Sequence, residues 1–143
     1  MKRWLCVPLV ATWALAACGS ISAPNWFVRT YLGEPSGLVL STADLHGLSP
    51  IAVWGAPDQI AVVTWWSSGC PKLPIDLNAA GNALTLTLSS GTSPYGSSCT
   101  ADAAPTTTVI RLPHSVDQAQ PVTLAFIDGS TRSIFVLQPR LPG

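Results

Sequence analysis

Two histidines are the side chains best suited to acid–base chemistry in this 143-residue sequence. A serine hydrolase needs a nucleophile on a strained turn, often within Gly-x-Ser-x-Gly, and a histidine within hydrogen-bond reach. That motif is missing, and although Ser115 follows His114, neighbours in an extended chain point to opposite faces. Asp44 and His46 would share one face of a strand, but two ligands are too few for a metal site. The sequence therefore predicts polar loops at both histidines, with no catalytic residue, metal or cofactor.

The charged side chains exclude one class of partner and leave another open. Seven acidic residues could supply the paired carboxylates of a glycoside hydrolase, but their scatter pairs none of them across a sugar cleft. Asp58 and Asp128 each adjoin a turn residue, where a local hydrogen bond is the usual role. Five basic and seven acidic residues follow residue 17, a formal charge of −2 with no basic patch. Nucleic acid is therefore not an expected partner.

A tryptophan pair, Trp65 and Trp66, is the strongest candidate for contact with a partner. Neighbouring residues on a strand face opposite sides, so we expect one ring in the core and the other on the outer face. An exposed tryptophan can stack on a sugar ring, dock a protein or enter lipid headgroups. The alternative is that loops or a neighbouring strand cover it. Which of the two rings is exposed stays open at this point.

The first 17 residues have the pattern of a secretory signal peptide. Met1, Lys2 and Arg3 form a short basic start, and the apolar run from Trp4 to Leu15 is followed by small residues. The apolar run of about 12 residues is shorter than the roughly 20 that a membrane-spanning helix needs. We therefore expect export of the chain and removal of residues 1–17.

The four residues that end this segment, Leu15-Ala16-Ala17-Cys18, resemble the lipobox of bacterial lipoproteins. The resemblance implies that the Cys18 thiol receives a diacylglycerol and that cleavage occurs before Cys18. One acyl chain binds a bilayer only marginally, whereas two or three hold a protein there permanently. Residues 18–25 are expected to be the lipidated cysteine and a short tether, so the following domain would lie outside the cytoplasm, in the periplasm or at the cell surface.

Of the four cysteines, Cys6 leaves with the signal peptide and Cys18 would carry lipid, so Cys70 and Cys99 remain. An even pair in an exported protein predicts a disulfide. A metal site or a redox pair is disfavoured because neither a Cys-x-x-Cys motif nor a Cys/His cluster accompanies them.

Residues 26–143 have the pattern of one all-β domain, since short apolar segments alternate with turn residues. The segment over 83–89 alternates leucine with threonine, and the nearly all-apolar segment over 60–66 is typical of a central strand. Asp128-Gly129 between two apolar runs predicts a hairpin, with a bulged or longer turn. Strands are expected over residues 26–32, 38–41, 51–54, 60–66, 83–89, 107–112, 122–127 and 133–137.

Eight short strands at this spacing predict a small antiparallel β-sandwich with immunoglobulin-like topology, and a small closed barrel is the alternative. Three segments, over 66–70, 99–102 and 109–113, resemble small envelope lipoproteins of actinobacteria. That resemblance implies an envelope location and this fold, and it assigns no activity.

Three functions are compatible with these observations. The first is a non-catalytic, membrane-anchored lipoprotein that binds an envelope protein or glycan, with Trp65 or Trp66 in the contact. The second is a small envelope hydrolase, which requires His46 or His114 to meet an acid and a nucleophile in one cleft. The third is a carrier of a lipid or apolar ligand, which requires a hollow between the sheets. The oligomeric state is not indicated by the sequence.

Overall fold

The structure, a computed structural model, describes residues 24–36, 38, 49–92 and 98–141. The expected signal peptide, the lipidation site at Cys18 and the pair Asp44 and His46 lie outside the described residues. So does most of the strand expected over 38–41.

The described chain is built of strands and contains no helix. The strands are β1 (Phe27–Leu32), β2 (Ile51–Trp54), β3 (Gln59–Trp66), β4 (Pro74–Ala80), β5 (Ala83–Leu88), β6 (Ala104–Arg111), β7 (Val122–Asp128) and β8 (Thr131–Leu137). One sheet has the order β1-β6-β3-β2 and the other the order β4-β5-β7-β8. The predicted two-sheet sandwich is confirmed, and the closed barrel is wrong.

The strand order shows how far the likeness to an immunoglobulin domain extends. All pairs are antiparallel except β5 and β7, which run parallel. In an immunoglobulin constant domain the first, second, fifth and fourth strands share one sheet, whereas here the first sheet holds the first, sixth, third and second. This domain therefore shares the two-layer architecture of immunoglobulin domains, but its strands are connected in a different order.

The core lies between the two sheets and takes alternate residues from each. In β5 the leucines of the alternating segment, Leu84, Leu86 and Leu88, point into it. Ile60 and Val62 of β3 face them from the other sheet and are fully buried. Ala61 and Val63, on the opposite face of β3, are buried as well. β3 is thus buried on both faces, which explains its nearly unbroken apolar sequence.

The hairpin of β7 and β8 is confirmed, but its turn is shorter than expected. Asp128 pairs with Thr131, which leaves only Gly129 and Ser130 in the turn. Of these two residues only Gly129 has a positive φ, 57°. A glycine at the first central position fits a type II′ turn, whose twist matches that of the flanking strands.

β4 is absent from the strands expected from the sequence. Pro74, Asp76 and Asn78 are poor strand formers. With only Leu77 and Ala79 as inward apolar residues, the segment lacks a clear alternation of apolar and polar residues. β4 is an edge strand, where a first-position proline costs no ladder hydrogen bond. Its two inward residues pack against the core and its polar residues face solvent.

Candidate functional site

The tryptophan pair ends β3, and the structure settles which ring is accessible. Trp65 is 7% exposed and Trp66 is 45% exposed. Alternation places Trp66 on the same face as Ile60 and Val62, so the exposed ring is on the inward face and the buried ring on the outer face. Trp66 is exposed because it is the last residue of β3, beyond the packed core.

Lys72 holds the Trp66 ring from one side. Its Nζ atom lies 3.9 Å from the ring centroid, the geometry of a cation–π contact. The same Nζ forms an ion pair with Asp128 of the β7–β8 hairpin. The Lys72 side chain is only 13% exposed, so these two contacts replace much of its hydration. The ring of Trp66 is therefore linked through one ammonium group to the opposite sheet.

Three hydrogen bonds to the backbone of Lys72 and Leu73 fix the position of Lys72. The Thr64 hydroxyl donates to the Lys72 carbonyl oxygen at 2.6 Å. The next residue, Leu73, donates its backbone N–H to the Ser89 hydroxyl at 2.9 Å, and its carbonyl oxygen accepts from the Ser89 N–H at 2.8 Å. The segment that precedes β4 is thus attached to both sheets, and the lysine does not depend on side-chain packing alone.

Gly91 lies against the edge of the Trp66 ring. A Cβ atom at this position would be 2.5 Å from Nε1 of Trp66 and 2.7 Å from Cδ1. Its φ of +66° is also in the left-handed region. Both conditions require glycine, because only a residue without a Cβ atom lets the backbone lie this close to the indole.

A cluster of hydroxyls and one carboxylate lies beside the tryptophan pair. Asp102 Oδ1 accepts from the Thr100 hydroxyl and, at 3.1 Å, from the Ser68 backbone N–H. Thr100 Oγ1 also accepts from the Gly69 N–H at 3.1 Å and lies 2.9 Å from the Ser67 hydroxyl. The hydrogen bonds from Thr100 and Ser68 lower the pKa of Asp102 from 3.8 to about 2. Asp102 is consequently an exposed carboxylate that stays ionised in mildly acidic conditions.

The disulfide between Cys70 and Cys99 is confirmed and joins the two segments that carry this cluster. The Cα atoms are 5.4 Å apart, across a sequence separation of 29 residues. Cys70 closes a turn that begins at Ser67, since its N–H donates to the Ser67 carbonyl oxygen, and Cys99 directly precedes Thr100. The cross-link therefore keeps the end of β3 and the start of β6 in register where Trp66 pairs with Ala104.

Clefts open around Trp66. One of about 250 Å³ is lined by both tryptophans together with Ser67, Thr100 and Asp102. Another, of about 220 Å³, contains Trp66, Lys72, Asp128 and Thr64. A third, of about 160 Å³, shares Pro50, Leu88 and Asp128 with the second and continues between the sheet ends to Thr131 and Ser133. An exposed aromatic ring, three charged groups and several hydroxyls thus meet at one end of the sandwich, which we call the Trp66 end.

His114 lies at the opposite end of the sandwich, in a cleft lined by Trp26 and Arg111. It does not line the clefts around Trp66. Within the described ranges no group of three or more His, Cys, Asp or Glu residues could hold a metal ion. Core side chains from both sheets pack together, and the clefts lie at the ends and edge of the sandwich.

Trp66 was predicted from the sequence, but the residues that surround it were not. Lys72 and Asp102 are isolated charges in the sequence, and Asp128 looks like a turn residue only. Gly91 stands in a Ser/Gly/Thr segment that reads as a loop. The one available signal was the disulfide, because it implies that residues near Cys70 and near Cys99 are neighbours.

Comparison with protein-family models, curated proteins and solved structures found no match to this chain. Among the residues that the structure describes, no helix has the length and apolarity to cross a bilayer.

Proposed function

We propose that this protein is a membrane-anchored envelope lipoprotein whose β-sandwich binds a glycan of the cell envelope at the Trp66 end. The observation that carries the proposal is that Trp66 is both exposed and held in place. Its ring is 45% exposed, yet Lys72 and the Gly91 backbone hold it in place. A large aromatic surface that is both accessible and fixed loses little conformational entropy when a ligand covers it.

The polar groups around the ring favour a sugar over an apolar ligand. Sugars present C–H faces that stack on aromatic rings and hydroxyls that need donors and acceptors. The two clefts that Trp66 lines offer the Asp102 and Asp128 carboxylates, and the adjoining cleft adds the hydroxyls of Thr131 and Ser133. An apolar ligand would offer no partner to these hydroxyls, nor to the carboxylate oxygens that Lys72, Thr100 and Ser68 do not already bind, at a cost of about 1–3 kcal/mol each where they become buried.

The direction in which the chain enters the sandwich is compatible with an anchor at Cys18. Phe27, at the start of β1, pairs with Ile110, whereas Trp66 pairs with Ala104 at the other end of β6. The six positions from Ala104 to Ile110 span about 20 Å of strand. A chain held by lipid at residue 18 would therefore enter the domain at the end remote from Trp66 and leave the ring facing away from the bilayer.

A co-sedimentation assay tests the glycan site. The mature protein is incubated with insoluble cell-wall polysaccharide that has been treated with protease and extracted of lipid. We expect Trp66→Ala to lower the affinity about tenfold or more, the effect of removing an aromatic hot spot, and Trp66→Phe to retain part of it. Leu32→Ala is the matched control, because Leu32 is 64% exposed at the same end of the sheet. Unchanged binding by Trp66→Ala, or binding that needs protease-sensitive material, would contradict the glycan site.

The anchor has a separate test. Cys18→Ala should move the protein from membrane to soluble fractions, while Ser20→Ala in the same segment should leave it in the membrane. Intact-mass analysis of the parent protein should show acyl chains on residue 18 and no residues 1–17. Membrane retention of Cys18→Ala, or an unmodified thiol at that position, would reject the anchor and leave the glycan assay interpretable.

A further inference from the structure

The cleft that His114 lines lies at the end of the sandwich where the described chain begins, and we call this end the Trp26 end. The cleft has a volume of about 280 Å³ and opens between the two sheets. Trp26 and Arg111 line it from the β1–β6 side, and Leu77 and Ala79 of edge strand β4 line it from the other. It therefore has an apolar wall and a basic rim within the same opening.

The basic rim consists of Arg111 and His114. The Arg111 side chain is 51% exposed, and its Nε lies 3.6 Å from Oδ2 of Asp58, the one ion pair it makes within the described ranges. A guanidinium has five N–H donors, so this contact leaves most of them available to a ligand. His114 adds at least one further N–H donor whether or not it is protonated.

Acidic side chains at this end lie outside the cleft. Asp58 is beside Arg111, and Asp117 accepts from the Ala119 N–H at 2.9 Å. Neither of them lines the cleft, and among the described residues its ionisable groups are Arg111 and His114. An anion in the cleft would meet donors and an apolar wall without a facing carboxylate.

Similar side chains occur at the same end of the sandwich on its other lateral edge, beside β2 and β8. Arg140 donates to the carbonyl oxygens of Gly55 and Ala56 at 3.0 Å, and its guanidinium lies 5.9 Å from the Trp54 ring centroid. Leu141, the next residue, is 85% exposed. Tryptophan and arginine with an exposed leucine are the side chains that proteins place at the headgroup level of a bilayer.

We propose that the Trp26 end is a membrane-contact face and that its cleft binds an anionic phospholipid of the same bilayer. The phosphodiester would accept from Arg111 and His114, and the adjoining apolar part of the lipid would lie against Leu77, Ala79 and Trp26. The placement beside a bilayer rests on the proposed anchor, because only five residues lie between Cys18 and Pro24, and these six steps of chain reach about 20 Å at most. Binding of the lipid itself does not depend on the anchor.

The test uses soluble lipid so that it is independent of anchoring. The purified mature protein is titrated, below the critical micelle concentration, with dihexanoyl-phosphatidylglycerol, dihexanoyl-phosphatidylcholine or inorganic phosphate. The indole N–H signals of Trp26 and Trp66 are followed by NMR, and intact mass on the same sample reports the state of Cys18. We expect phosphatidylglycerol to shift the Trp26 signal selectively, and phosphatidylcholine to bind about tenfold more weakly.

Variants separate the site from a general charge effect. Arg111→Gln should weaken phosphatidylglycerol binding about tenfold, and Arg111→Lys, which keeps the charge, should weaken it less. Arg132→Gln removes an exposed arginine from β8 at the other end and should have no effect. Equal affinity for the two lipids, unchanged binding by Arg111→Gln, an equal response to free phosphate, or shifts confined to Trp66 would each overturn the lipid site. A lipid-modified Cys18 in a sample without such binding would leave the anchor intact and reject only this inference.

Discussion

The two ends of the sandwich use the same residue types to make different surfaces. At the Trp66 end the cation that touches the indole is neutralised by Asp128 and is only 13% exposed. At the Trp26 end Arg111 is half-exposed and its carboxylate partner lies outside the cleft. The two ends therefore differ in the position of the counter-ion, although both contain tryptophan and a cation. A neutralised cation serves to hold a ring, whereas an accessible one can bind an anion.

The ends also differ in how they are held together. The Trp66 end contains the disulfide and the cluster around Thr100, while the Trp26 end is held by backbone and side-chain hydrogen bonds such as that from Trp54 Nε1 to the Gln138 carbonyl oxygen, 2.8 Å long. Changes at the Trp66 end should therefore leave the Trp26 indole signal unaltered.

Removal of the disulfide should have the largest effect. Replacing both Cys70 and Cys99 by serine should lower the free energy of unfolding by about 3.5 kcal/mol, because the unfolded chain regains the entropy of a loop of this length. Urea denaturation measures the loss, and reduction of the parent protein is the control. If the NMR signal of the Trp26 indole N–H shifted as much as that of Trp66, the two ends would not be structurally independent.

Gly91→Ala should cost about 2–3 kcal/mol, because alanine must adopt a positive φ and its Cβ would overlap the Trp66 ring. Gly81→Ala is the matched control: its φ is +58°, with nothing within 4 Å of a Cβ. The difference in unfolding free energy between these two variants isolates the contact with the indole. Equal losses would mean that Gly91 does not position Trp66.

Lys72→Met should lower the free energy of unfolding by about 1–2 kcal/mol, through loss of the cation–π contact and the ion pair. Asp128→Asn and the double variant complete a mutant cycle measured by urea denaturation. We expect a coupling energy clearly above that of an exposed pair. If the losses of unfolding free energy in the two single variants simply add in the double variant, the ion pair contributes nothing and Lys72 stabilises the fold through Trp66 alone.

The smallest effect concerns acid stability. Because the pKa of Asp102 is lowered from 3.8 to about 2, its carboxylate stabilises the fold above about pH 4, and this contribution is lost as the pH falls through 2. Asp102→Asn should therefore reduce the change in urea stability between pH 4.5 and 2. Asp76→Asn, on exposed edge strand β4, controls for the lost charge. An identical pH dependence in the parent and Asp102→Asn would contradict the hydrogen bonds assigned to Asp102.

Local patterns predicted most of this fold. The Leu/Thr alternation predicted β5, the apolar run predicted β3, and Asp128-Gly129 predicted the last hairpin, because these signals lie within a few residues. β4 was not predicted because Leu77 and Ala79, its inward apolar residues, are too few to give a clear alternating pattern. The parallel pairing of β5 with β7 was also unpredictable, because it depends on β6 joining the other sheet, an arrangement that no short window contains.

The candidate site was predictable only in part, for a related reason. Alternation placed Trp65 and Trp66 on opposite faces, but exposure depends on where the facing sheet ends. Lys72 reaches Trp66 through the turn after β3, and Asp128 arrives from a hairpin 56 residues further along. The cluster on Asp102 likewise joins residues 34 apart. Contacts of this kind are products of the tertiary fold.

The parallel pairing of β5 with β7 also bears on how the chain folds. The connection between them leaves one sheet, contributes β6 to the middle of the other, and returns. Neither sheet can be completed by a continuous stretch of sequence, so we expect a single cooperative transition without a stable half. Contacts so distant in sequence make folding slow, and oxidation of Cys70 and Cys99 would shorten the search by which β6 finds β3.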